Sequence, residues 1–453
     1  MRLVELSLSE FEDFASNHPL RSYAQSPAYA KFMGEQGFSY DYIGYDDNGT
    51  IIAASLILYK RIGGFQKYAY APKGFLIDFY NQELVEKFSR DLIKRLKEKG
   101  IVFLKINPEI IIGEVKYTDY FTTNYNKNVK IIDDLKDIKY KRRREVEALD
   151  FIFPRINGYI DLKKYKQDKL SKDLIKKINY ATKRGLSYET ATSRQINVFY
   201  NIIKEDAEHS INYYRNFLNI FSKENKSEFF LIKVNYREFL IQAKGEYEKE
   251  LDNNNSLNML IQEDNTEENL NLKMESDKYL LKLKNNIVEA TEGLKKGADE
   301  VIGGAIIIKH LTRVTVLVSG FSKRFMHLNP YEFLYDKLCE IYKNEFDYLD
   351  LNGLSSDFNP KGKYFNKNMR KLEFKPDIYE YIGEFDYIIN EGAFRNLQSR
   401  NLIAKEMKNL KWKKEAGASF RLLTKSSSVF LFIKKYGKMK TDERLLSLTN
   451  KSH

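Results

Sequence analysis

The residues able to do chemistry are limited in kind. The chain has one cysteine, Cys339, and five histidines. A single cysteine excludes an internal disulfide framework and any multi-cysteine zinc site. Five histidines leave little for a histidine-built metal centre. His209 stands beside Glu205, Asp206 and Glu208, an arrangement that reads better as a helix surface than as a metal site. Gly63-Gly64 and Gly303-Gly304 lack the lysine and hydroxyl spacing of a phosphate-cradling loop. Neither a Gly-X-Ser-X-Gly elbow nor a His-Glu-X-X-His string occurs. What the chain holds in surplus is positive charge: 75 Lys and Arg against 63 Asp and Glu, a net +12. That excess suits a polyanionic partner, whether nucleic acid, a phosphorylated substrate or an anionic membrane surface. Basic runs stand at Lys141-Arg142-Arg143-Arg144 and Lys163-Lys164-Tyr165-Lys166, and each also reads as a solvated face.

The elements that must position such residues follow from pattern. With 453 residues, about three units are expected at roughly 150 residues each. A 43% hydrophobic and 14% aromatic composition is ample for a core. No apolar run is long enough to span a membrane. The first residues lack a signal-peptide core, and cysteine usage fits a reducing, cytoplasmic home. Helices are predicted from a cap at Ser9, over 27–35, and over 81–99 ending at Gly100. Strands are predicted at 39–45, 50–60, 67–72 and 101–106, the first two joined by the turn Asp46-Asp47-Asn48-Gly49. Residues 109–148 read as a charged, irregular, peripheral excursion. The same rhythm then repeats: a strand at 157–162, helices over 171–184 and 196–221, and a strand at 229–235. A strand pair at 301–308 and 313–319, a helix over 329–344 and a strand at 348–352 complete it. This suggests two copies of one α/β architecture.

Residues 237–298 are a different object. Leu280, Leu283, Ile287, Ala290 and Leu294 are spaced as a heptad seam. Leu240, Ala243, Tyr247 and Leu251 suggest a partner helix, with polar breakers at Asn253-Asn254-Asn255-Ser256 and Glu263-Asp264-Asn265-Thr266. An antiparallel coiled-coil hairpin is expected, serving as a stabilising or dimer contact or as an arm toward a long substrate. The tail from 392 onward is basic, with a helix over 396–414 and the apolar run Val429-Phe430-Leu431-Phe432-Ile433.

Several strings join in order. They are Tyr23-Ala24-Gln25-Ser26-Pro27-Ala28-Tyr29-Ala30-Lys31, Tyr68-Ala69-Tyr70-Ala71-Pro72-Lys73-Gly74-Phe75 and Leu104-Lys105-Ile106-Asn107-Pro108. Pro154-Arg155, Asp350-Leu351-Asn352-Gly353, Met369-Arg370-Lys371-Leu372 and Tyr381-Ile382-Gly383-Glu384-Phe385 follow. Over about residues 1–392 this order resembles the FemABX aminoacyltransferases, which build peptidoglycan cross-bridges. The resemblance implies two acetyltransferase-like (GNAT-like) domains, over 1–150 and 151–380, with the coiled-coil arm at 237–298 inserted in the second. It also implies a segment, 381–453, whose strand returns to the first domain before a basic tail.

The implied activity is transfer of an amino acid from aminoacyl-tRNA to an amine of lipid II or of UDP-MurNAc-pentapeptide. Aminoacyl-tRNA would be a co-substrate, and neither cofactor nor metal is implied. Lys371 falls at the family's catalytic lysine, where an ammonium would stabilise the oxyanion. Asn107 stands where the family often has Asp, so it would orient the acceptor rather than take its proton. Substrate contacts carried over are Lys31, Tyr70, Lys73, Tyr214, Arg215 and Arg370. Met33 replaces an expected lysine, and Arg370 an expected Phe. The departures leave room for a non-catalytic tRNA-binding or partner-subunit paralogue, and an acyl-CoA N-acyltransferase is a further alternative. A peripheral contact with the inner membrane face and a homo- or heterodimer also stay open.

Overall fold

The two longest strands predict their own surroundings. Thr50–Ile62 and Asp299–His310 carry unbroken runs of apolar and small residues, and seven consecutive residues of each are buried. Strands without alternation must be covered on both faces. The computed structural model describes residues 1–118, 120–144, 151–205, 207 and 209–410. Within them lie β1 (Arg2–Glu5), β2 (Ser39–Asp47), β3 (Thr50–Ile62), β4 (Gln66–Ala71), β5 (Ile101–Ile106), β6 (Ile111–Tyr117), β7 (Phe121–Tyr125) and β8 (Lys141–Arg142). The later strands are β9 (Ile156–Asp161), β10 (Leu186–Ala191), β11 (Ser227–Asn235), β12 (Asp299–His310), β13 (Arg313–Phe321), β14 (Tyr348–Asp350), β15 (Asp377–Tyr381) and β16 (Phe385–Ile388).

They form two sheets, in the orders β1-β2-β3-β4-β5-β16-β8 and β10-β11-β12-β13-β14-β9-β15-β6-β7. Both sheets run antiparallel except at one parallel pair, β4 with β5 and β13 with β14. The two-copy α/β reading is thus met by one topology used twice. One face of the first sheet is covered by the helix Gln82–Glu98 through Val85, Phe88 and Leu92, capped by Asn81 as its sequence predicts. A second core cluster is shared by the two sheets. In it Phe32, on the helix Pro27–Glu35, meets Tyr213 and Phe217 of the helix Ile211–Phe221 at ring distances of 4.9 and 5.5 Å. Cys339 lies in the third large cluster, fully buried on the helix Pro330–Tyr342.

Several expectations need correction. The excursion at 109–148 is not peripheral. β6 and β7 join the second sheet, and Ile131, Ile132 and Leu135 of the helix Lys130–Asp137 are buried in the first domain's core. A boundary at 150 therefore does not divide the sheets, because β6 and β7 precede it yet extend the second; the expected return strand is β16, which pairs with β5 of the first. The first helix is capped two residues earlier than expected, by Ser7 with Glu10 in a reciprocal box. The helix predicted over 196–221 is two helices, Ile196–Ile203 and Ile211–Phe221.

The inserted segment is an antiparallel helical hairpin, Tyr236–Glu263 and Glu267–Lys296. The string Asn253–Ser256 does not break it but lies inside its first helix, where Asn254 is buried and bonds Ser276 at 2.9 Å. A buried polar layer fixes register at some cost in stability. Leu251 points to solvent instead of into the seam. At the foot of the hairpin Arg184 is fully buried, bonded to Glu246 at 2.7 Å and stacked on Tyr180. Beyond 392 the chain forms Glu391–Ser399 and Leu402–Leu410. Trp412 and the apolar run at 429–433 lie outside the described residues. No described helix is long and apolar enough to cross a membrane.

Candidate functional site

The parallel pair β4–β5 places two loop starts side by side, because both strands end at the same edge of the sheet. Ligand sites in α/β sheets favour such carboxyl ends. β4 runs into Pro72-Lys73, and Lys73 takes a left-handed backbone (φ 54°) that turns its N–H inward. β5 runs into Asn107-Pro108. Asn107 Oδ1 accepts from the Lys73 N–H at 2.8 Å and from the Tyr70 hydroxyl at 3.2 Å. These bonds orient the amide. Its Nδ2, buried, has no hydrogen-bond partner. A buried donor left unsatisfied costs about 1–3 kcal/mol, so such an atom is a reserve for a ligand.

Two residues beyond Asn107, Glu109 joins the two domains. Its Oε1 accepts from Arg313 Nη2 at 2.7 Å, and its Oε2 lies 3.6 Å from Lys73 Nζ. Burial would raise the Glu109 pKa, but Arg313 and Lys73 outweigh it and hold the carboxyl at about 2. Arg313 also donates to the Tyr159 hydroxyl at 3.4 Å, which shares a 2.5 Å hydrogen bond with Tyr381. The Lys73 ammonium lies over the rings of Phe153 and Tyr381, and burial lowers its pKa. Asp350, at the end of β14, accepts from the Asn352 N–H at 2.7 Å and from Thr315 Oγ1 at 3.3 Å. Burial pushes its carboxyl toward the neutral form. The result is a largely buried cluster holding two cations, one committed carboxylate and a second that burial biases to neutrality. A cavity of about 350 Å³ opens beside it, lined by Glu109, Tyr159, Arg313 and Tyr381 among others.

Of the residues singled out from sequence, Tyr70, Lys73 and Asn107 meet here. Lys371 instead holds the loop after β14. From the helix Phe365–Leu372 its Nζ donates to the carbonyls of Asn352 and Gly353, in the loop that follows Asp350. Arg370 faces elsewhere, 3.9 Å from the buried Glu332 and over the Tyr331 ring. Lys31, exposed, and the buried Tyr214 sit on the two helices that pack between the sheets. Arg215 donates to Asn212 and Asn197 at 2.7 and 2.9 Å. Sequence reading missed Glu109, Tyr159, Arg313 and Tyr381. Glu109 had a signal, since it directly follows Asn107-Pro108. Arg313 opens a strand after a tight turn and carries none.

A family model described as the FemAB family matches residues 6–399. This chain is a member of the FemAB family. Among its relatives is a lipid II:glycine glycyltransferase of Staphylococcus epidermidis (strain RP62A), 21% identical over 412 residues, 87% of this chain and 94% of that one. Another is the aminoacyltransferase FemA of Staphylococcus aureus (strain MRSA252), 22% identical over 421 residues, 87% and 97% of the two chains. The crystal structure of FemX superposes with a TM-score of 0.67 at 18% identity, covering 88% of this chain and all of that one. At that identity the likeness shows the fold. The FemAB-family chain is an aminoacyltransferase by membership, and the Lys73–Glu109–Arg313 cluster sits where its two sheets meet.

Proposed function

We propose that this FemAB-family chain moves an amino acid from aminoacyl-tRNA to an amine on the stem peptide of a peptidoglycan precursor, lipid II or its nucleotide-linked form. The observation that carries the reading is near end-to-end alignment with relatives named for glycyl and aminoacyl transfer. The step balances without a covalent enzyme intermediate. The neutral acceptor nitrogen attacks the ester carbonyl carbon and forms the C–N bond. It then loses a proton. The tetrahedral oxyanion collapses, the ester C–O bond breaks, and the ribose hydroxyl leaves with a proton.

Within that step Lys371 supplies positive charge to the oxyanion. Asn107 has no carboxylate to take a proton, and its Oδ1 is already occupied. We therefore give its free Nδ2 the part of a hydrogen-bond donor rather than a base. Lys73 and Tyr70 fix that amide, and Glu109 with Arg313 fixes Lys73. Aminoacyl-tRNA is the co-substrate, and the net charge of +12 suits both polyanionic substrates. A lipid-linked acceptor would draw the chain to the inner face of the membrane.

The test is to incubate the purified protein with radiolabelled aminoacyl-tRNA and a lysine-containing lipid II analogue and to follow label into the precursor. Transfer that Lys371→Met abolishes supports the reading. Absence of transfer with every aminoacyl-tRNA and with both acceptor forms overturns it.

A further inference from the structure

Phe65 is 98% exposed, more than any other large apolar side chain among the described residues. It sits in the turn between β3 and β4, where Gly63 and Gly64 take left-handed backbones (φ 63° and 107°). Ile62 pairs with Gln66, so only residues 63–65 lie beyond the ladder. The turn has a firm seat. A Cβ on Gly63 would lie 2.8 Å from both Leu397 and Leu402, so the helices Glu391–Ser399 and Leu402–Leu410 support it from one side. Phe65 projects from that support into solvent.

Exposure of one apolar side chain is common by itself; the charges around this one are not. Arg61 and Lys67 face each other directly across the β3–β4 ladder. Like charges in that position destabilise a sheet, and neither has an ion pair among the described residues. Lys60, on the opposite face, is by contrast held by Glu406 at 2.8 Å. The exposed Arg400 lies in the chain between Leu397 and Leu402, at the junction that seats Gly63. β5 starts beside Lys67, so the end of the helix Gln82–Glu98 brings the exposed Lys97 to the same edge. Carboxylates are fewer there. Asp41 and Glu406 are held by Lys99 and Lys60. That leaves the exposed Glu35 and Glu98 against Arg61, Lys67, Lys97 and Arg400.

We propose that the β3–β4 turn is a docking surface for an anionic lipid membrane, with the Phe65 ring entering the headgroup boundary and the cations around it meeting lipid phosphates. Burial of apolar surface and attraction to anionic headgroups together drive binding of this kind. A protein partner fits less well. Interface centres are apolar and depleted of lysine, whereas the neighbours of Phe65 are glycines and cations. The placement also suits transfer. The turn precedes β4 and Lys73 follows it, about 20 Å away along a six-residue strand. Lipid contact at the turn therefore leaves the candidate site clear of the membrane surface. A lipid-linked acceptor would draw the chain to a membrane; the turn supplies the face that meets it.

The test needs no turnover, so its failure is separable from failure of the transfer reading. Partition of the full chain onto vesicles of phosphatidylglycerol and phosphatidylcholine in equal parts is read by co-flotation, with phosphatidylcholine alone as the comparison. The wild type is expected on the anionic vesicles and not on the neutral ones, with binding that falls as salt screens the cations. Phe65→Ser should weaken partition about 10-fold and Arg61→Glu about 30-fold. Arg61→Glu turns a repulsive pair with Lys67 into an attractive one, so its thermal midpoint should not fall. A second measurement separates insertion from charge alone. The chain has one tryptophan, Trp412; in Trp412→Phe/Phe65→Trp the emission should shift to the blue on addition of anionic vesicles. The proposal is overturned if the wild type stays off anionic vesicles, if Phe65→Ser and Arg61→Glu both bind as the wild type does, or if the bound Phe65→Trp protein shows no shift. Self-association that Phe65→Ser dissolves, without vesicle binding, also overturns it, in favour of a second copy of this chain.

Discussion

Replacing Glu109 with Gln tests the electrostatic logic of the site. The substitution keeps the shape but removes the charge that Arg313 and Lys73 share across the domain boundary. Glu109 is held at about 2 against an ordinary 4.5. A difference of that size is worth about 3 kcal/mol of folding stability at pH 7. The side chain is 11% exposed, so solvent screening takes little from it. The sign follows from the depressed pKa. The contribution is complete above about pH 4.5 and is lost as pH falls toward 2. At pH 3 about 1.4 kcal/mol of it should remain, by the same linkage relation. Denaturant unfolding of wild type and Glu109→Gln at both pH values measures the gap directly. It should be about 3 kcal/mol at pH 7 and less than half of that at pH 3. An equal gap at both values, or a variant as stable as wild type at pH 7, would refute the idea that the carboxylate balances two buried cations.

Asn107→Ala, which removes the amide donor that orients the acceptor, should lower kcat/KM about 100-fold, the order of cost of one lost catalytic hydrogen bond; an unchanged rate in single-turnover transfer assays removes Asn107 from the step. Lys371→Met should abolish transfer while circular dichroism stays native; retained turnover would reassign the lysine to holding the 352–353 loop. Gly293→Ala should loosen the foot of the hairpin, because a Cβ there would lie 2.2 Å from the Tyr236 ring. A cost of about 1–3 kcal/mol is expected from such overpacking, read as a drop in thermal midpoint.

What the sequence determined by itself is what local physics writes into it. Asn81 and Gly100 delimit a helix because caps and left-handed stops are local needs, and residues 50–62 declare a doubly covered strand by lacking alternation. Hairpin and helix order announced two copies of one topology. Tyr70, Lys73 and Asn107 were singled out by the family resemblance, and the ends of adjacent strands bring them into contact. Local reading failed where long-range pairing wins. Residues 111–117 look irregular alone but join the sheet against Tyr379–Tyr381, more than 260 positions away in the chain, and 121–125 then add to them as a hairpin at the sheet edge. Asn253–Ser256 looks like a breaker, yet stays helical because Asn254 finds Ser276 across the hairpin. Arg313 could not be seen as the partner of Glu109, since a buried charge is set by what folding brings beside it. The tertiary structure alone decided which cations are committed, as Arg313 is to Glu109.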